Sequence, residues 1–83
     1  MIFTNTGIIS IQSIPEGAEI HLDGNPIRTT SGNVAKAPLI LSYVPEGPHW
    51  LTLKMPGYFD EIRLVGSITN MQHNVYIVMK PIP

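Results

Sequence analysis

Three histidines, at positions 21, 49 and 73, are the side chains best suited to hold a metal or move a proton near neutral pH. Asp23 and Asp60 are the carboxylates that could join them. No two of the histidines have the spacing that places two ligands on one element, so no standard metal motif is present. His21 and Asp23 share a strand face but supply only two ligands. His49 shares one strand face with Leu51, Leu53 and Met55. Its expected task is therefore a hydrogen bond to a turn carbonyl in the core, not metal ligation. Asp23-Gly24-Asn25 has the outline of a calcium loop but lacks the alternating oxygen ligands and the closing Glu. A hairpin turn accounts for it in full.

Catalytic constellations are equally sparse. No serine lies in a Gly-x-Ser-x-Gly elbow. Glu16, Glu19, Glu46 and Glu61 could in principle pair as hydrolase carboxylates. Glu16 and Glu46 sit in turn contexts, however, and all four are expected on the solvated surface. Trp50, Tyr58 and Tyr76 could stack on sugar rings, which makes Trp50 the candidate ligand contact. The competing expectation places Tyr58 packed beneath a turn and Tyr76 turned away from the core.

Composition narrows the class. An 83-residue chain forms one domain and buries only about 60–65% of its unfolded surface, so its core is thin. It has no cysteine, so disulfides and thiolate-held metals cannot staple it. A net charge of −1, with no Lys/Arg stripe, argues against nucleic acid as a partner. No apolar run is long enough to span a membrane as a helix. Met1 to Ile14 shows neither the basic nor the long apolar region of a signal peptide. If the parent protein is secreted, the expectation is that this chain is a processed or excised piece of it.

The elements that must position these residues are short strands. Eight prolines and seven glycines fall singly, as turn punctuation about every ten residues. Seven strands are expected: Gly7 to Ile14, Ala18 to Leu22, a weak Pro26 to Thr30, Leu39 to Val44, His49 to Met55, Phe59 to Val65 and Asn74 to Lys80. In the fifth, Trp50, Thr52 and Lys54 take the face opposite His49. The expected core is Ile9, Ile11, Ile20, Leu22, Leu51, Leu53, Val75 and Ile77. Ile14-Pro15-Glu16-Gly17 and Val44-Pro45-Glu46-Gly47 echo each other and read as recurring turn chemistry, with Pro15 presetting φ and Gly17 free to take φ > 0. Asp23-Gly24 is a hairpin dipeptide. Ile2 and Phe3 precede the first strand, either as a linker or as a segment able to pair with a neighbour's sheet edge.

Several pieces, in order, carry a family resemblance: Pro15-Glu16-Gly17-Ala18, Asp23-Gly24, Pro38-Leu39, Gly47-Pro48-His49 and Pro56-Gly57-Tyr58. Together they resemble the PEGA domain over about Gly7 to Pro81. Ser31 to Ala37 departs from the family pattern and reads as an insertion at the tip of the sandwich. The resemblance implies an all-β, small antiparallel Greek-key β-sandwich of about seven strands, transthyretin-like. Residues 1–6 would be an N-terminal segment or linker, 7–81 the domain, and 82–83 the start of a C-terminal linker.

The resemblance further implies a noncatalytic structural or interaction module of a cell-surface protein of surface-layer type, found notably in archaea. Such a module acts as a spacer or assembly contact, with no cofactor. Its partners would be neighbouring domains or chains of a surface assembly, itself included. The alternatives are a carbohydrate-binding module for surface glycans and an accessory domain of a bacterial signalling protein or an enzyme. Pro15, Glu16, Gly17, Ala18, Asp23, Gly24, Gly47, His49, Gly57 and Tyr58 are expected to specify the fold rather than to act on a substrate.

Overall fold

The computed structural model describes residues 5–83. Seven strands form in chain order: β1 (Thr6–Ile14), β2 (Glu19–Leu22), β3 (Asn25–Pro26), β4 (Leu39–Pro45), β5 (Gly47–Lys54), β6 (Glu61–Ser67) and β7 (Gln72–Val78). They build two layers, a three-stranded sheet in the order β4-β1-β7 and a four-stranded sheet in the order β3-β2-β5-β6. Only β2–β3 and β5–β6 are neighbours in both sequence and space. The other links cross between layers, so the molecule is a small all-β sandwich.

Alternation explains the core. Ile9 and Ile11 of β1, Ile20 of β2, Leu51 and Leu53 of β5 and Ile77 of β7 point between the sheets and are fully enclosed. Ala18, Ala37, Val44, Val65 and Met79 complete the buried cluster, while Leu22 and Val75 pack on it only half-buried. Both lie nearer the layer's margin than their apolar character predicts.

Three expectations need correction. The pairing is not antiparallel throughout, because β1 and β7 run parallel from Ile8↔Gln72 to Ile14↔Val78. A period of two residues fixes which face a side chain takes but not the direction of its neighbour. The third strand shrinks to Asn25–Pro26, with Arg28 bridging Val34 beyond it.

Nor is the Ser31–Ala37 segment a free tip. Its second half returns along β2: Ile20 N donates to Ala35 O, Ala37 N to Ala18 O and Gly17 N to Ala37 O. Ala35 and Ala37 are buried by this pairing. The segment thus covers a sheet edge that would otherwise present unpaired backbone groups. The turn at its start, closed by Gly32 N to Thr29 O and by Arg28 Nη1 to Gly32 O, stands in solvent.

The two echoing tetrapeptides do the same work. Ile14-Pro15-Glu16-Gly17 carries the chain from β1 in one sheet to β2 in the other, and Val44-Pro45-Glu46-Gly47 carries it from β4 to β5. Gly17 has φ +107° and Gly47 φ +122°, backbone conformations that a Cβ resists. The Ile14–Pro15 and Ala37–Pro38 bonds are both cis, which the turn reading of Pro15 did not anticipate.

Candidate functional site

Two regions hold the side chains of interest. The first is the end of the sandwich where the β2–β3 turn meets the β4–β5 corner. Asp23 (φ 52°) and Gly24 (φ 83°) make the tight hairpin, with Leu22 and Asn25 paired across it. Asp23 does more than turn the chain. Its Oδ1 accepts from Trp50 N at 2.9 Å and its Oδ2 lies 2.6 Å from His49 Nδ1. The other ring nitrogen, Nε2, lies 2.6 Å from Pro45 O. His49 therefore does meet a turn carbonyl, as its place on the apolar face of β5 suggested, but it also meets the Asp23 carboxylate, a contact that the sequence did not reveal. The hydrogen bond to Asp23, then that to Pro45, raises the His49 pKa above its usual value. The same bond to His49, then that from Trp50 N, lowers the Asp23 pKa.

The second region is the outer face of β5 and the edge strand β6. Register places Trp50 opposite Leu64 and Thr52 opposite Ile62, on the side away from Leu51 and Leu53. Trp50, Ile62 and Leu64 are 55%, 57% and 60% exposed, so three large apolar side chains form a strip in solvent. The inward parity of β6 instead carries Glu61 and Arg63, opposite Leu53 and Leu51. Glu61 is only 7% exposed, which overturns its expected place on the solvated surface. Arg63 Nη1 reaches Glu61 Oε1 at 2.9 Å and compensates the buried carboxylate. The run Glu61-Ile62-Arg63-Leu64 is inverted relative to ordinary patterning, with its apolar residues out and the Glu61 carboxylate in, while Arg63 keeps 45% of its side chain in solvent. Its strict alternation was the signal available in the sequence. An apolar-in rule assigns it the wrong way round.

The other expected residues are dispersed. Glu16 and Glu46 are exposed turn residues, and Glu46 Oε1 accepts from Thr69 Oγ1 at 3.0 Å. Glu19 is half-buried, its backbone bridged to Lys36. Tyr76 is exposed on β7. Tyr58 is half-buried against the core, under a turn closed by its own N–H to Met55 O. Gly57 (φ 84°) holds that turn and its carbonyl accepts from Ile82 N. His73 Nδ1 lies 3.2 Å from Gly66 O, and His21 Nε2 is buried with no hydrogen-bond partner. Among the described residues, no three His, Asp or Glu side chains gather as metal ligands. Ile2 and Phe3, the candidate strand-pairing residues, lie outside the described residues.

Sequence reasoning missed Gly7. A Cβ there would collide with Ile68 O and stand 2.7 Å from Ser67 Oγ. Ser67 Oγ itself is committed to Val44 O at 2.9 Å. Gly7 is thus required where β1 passes against the β6–β7 connection.

Among the described residues, no helix is long and apolar enough to cross a membrane. No curated protein and no solved structure matches the chain. The family model described as PEGA domain matches residues 6–81, nearly the whole chain, and with these turns, corners and strands in place the chain belongs to the PEGA domain family.

Proposed function

We propose that this domain is a noncatalytic structural module of a cell-surface assembly of surface-layer type, working outside the cell as a spacer with a contact face. The observation that carries the reading is the inverted strand β6. Burying the Glu61 carboxylate while leaving Ile62 and Leu64 in solvent costs desolvation and forgoes apolar burial. Departures from consistent patterning concentrate where a surface has work to do. Inward charge on an edge strand also discourages strand-to-strand addition, which leaves the face of the sheet rather than its edge as the contact. Its partner is a neighbouring domain or chain of the assembly. Family membership supports the surface setting.

The test is molar mass by light scattering after size exclusion over a wide concentration range. Leu64→Lys and Ile62→Lys should abolish any association without lowering the melting temperature. Association unchanged in both variants would sink the contact-face reading. A second reading, contact with a surface glycan, is favoured by the exposed ring of Trp50, with Thr52 and His21 on the same outer face. A saturable change in tryptophan fluorescence on adding polysaccharide, lost in Trp50→Ala, would select it.

A further inference from the structure

His49 has an acceptor on each ring nitrogen, Asp23 Oδ2 at 2.6 Å from Nδ1 and Pro45 O at 2.6 Å from Nε2. A neutral imidazole carries one N–H and can serve only one of them. The imidazolium carries two and serves both. The two acceptors belong to different connections, Asp23 to the β2–β3 turn and Pro45 to the end of β4 at the corner into β5. The His49 side chain is largely enclosed, at 11% exposure, so water does not readily replace a lost partner.

We propose that His49 is a pH-operated latch: as the imidazolium it ties the β2–β3 turn to the β4–β5 corner, and on losing its proton it releases one of them.

The surroundings allow this. Asp23 is the carboxylate in ion-pair contact with His49 among the described residues. On β6, Glu61 and Arg63 engage each other. Glu46, beside Pro45, takes the Thr69 hydroxyl, and His73 at the start of β7 is directed at Gly66 O. His21 of β2 lies on the outer face, across the sheet from the ring.

The sign follows from both partners. The His49 pKa is raised above 6.5 by the Asp23 and Pro45 bonds, so its contribution is complete below 6.5 and is lost as pH rises through the raised value. The Asp23 pKa is lowered below 3.8, so its contribution is complete above 3.8 and is lost as pH falls through the lowered value. The latch is therefore closed between those limits and opens on the alkaline side. Asp23 also holds the backbone of Trp50, whose N–H donates to Asp23 Oδ1 and whose carbonyl accepts from Asp23 N, so opening disturbs the environment of the chain's single tryptophan.

The experiment follows thermal unfolding and tryptophan emission of the chain from about pH 5 to about pH 9, in the wild type, His49→Gln and Asp23→Asn, together with the 15N resonances of the His49 ring. Wild type should lose on the order of 4–8 °C in Tm toward alkaline pH, with a parallel emission change. His49→Gln should show neither change, and Asp23→Asn a smaller one at lower pH. The ring should carry two protons at pH 6.5 and lose one above it. A wild-type profile flat over this range, an equal fall in His49→Gln, or a singly protonated ring at pH 6.5 would overturn the proposal. If a variant does not fold, the ring titration of the wild type decides alone.

Discussion

Gly17 and Gly47 turn the chain at matching corners: each closes an apolar-Pro-Glu-Gly run, each has φ beyond +100°, and each delivers a strand from the three-stranded sheet to the four-stranded one. Space does not dictate either glycine. A Cβ at Gly47 would meet nothing within 4 Å, and one at Gly17 only Met55 Cε at 3.8 Å. The constraint is backbone conformation alone. Gly47→Ala and Gly17→Ala should each cost about 1–3 kcal/mol in urea unfolding. Equal stability of Gly47→Ala and wild type would mean that the corner relaxes to another conformation at no cost.

Gly7 makes the opposite case, space without conformation. Gly7→Ala should cost about 1–3 kcal/mol, because the new methyl is forced against Ile68 O. Adding Ser67→Ala should not restore stability, since the backbone carbonyl remains and Val44 O loses its donor. Rescue by the double variant would show that the Ser67 hydroxyl, and not the backbone, sets the limit.

The core gradient gives a third expectation. Ile20→Ala and Leu51→Ala, both at fully enclosed positions, should each cost about 2–5 kcal/mol, enough to unfold a marginal domain. Leu22→Ala and Val75→Ala, at half-buried positions, should cost visibly less. Guanidinium midpoints of the four variants in one buffer decide the order. A Leu22 effect equal to that of Leu51 would contradict the packing described.

How much of this was legible follows from what each signal encodes. The Asp23-Gly24 hairpin and the faces of β5 were readable, because a turn dipeptide and a period of two are local. The parallel partner of β1 was not, since side-chain alternation is the same for either strand direction. The return of residues 34–37 along β2 was hidden because Ala35 and Ala37 are too small to announce a buried strand. At His49, parity correctly put the ring on the apolar face, yet its pairing with Asp23 joins positions 26 apart and leaves no local trace. Glu61 was misplaced for a different reason: a carboxylate is expected in solvent, and here it takes the buried parity of β6 while Ile62 and Leu64 take the outer one.

That reversal supplies the last prediction. Arg63 is 45% exposed along its side chain while Glu61 is 9% exposed, so the two ends of the pair differ in what they lose when separated. Arg63→Ala leaves a buried carboxylate without its partner and should cost about 1–2 kcal/mol, above the usual value for an exposed ion pair. Glu61→Leu frees an arginine that can turn to solvent, and it replaces a buried charge with an apolar side chain beside Leu53. It should be neutral or stabilising. Glu61→Leu with Arg63→Ala should therefore recover most of what Arg63→Ala loses. A double-mutant cycle by urea unfolding measures this directly. If Glu61→Leu is instead the most damaging change, the carboxylate is integral to the edge of the sandwich, and the inverted strand is built for stability rather than to display Ile62 and Leu64.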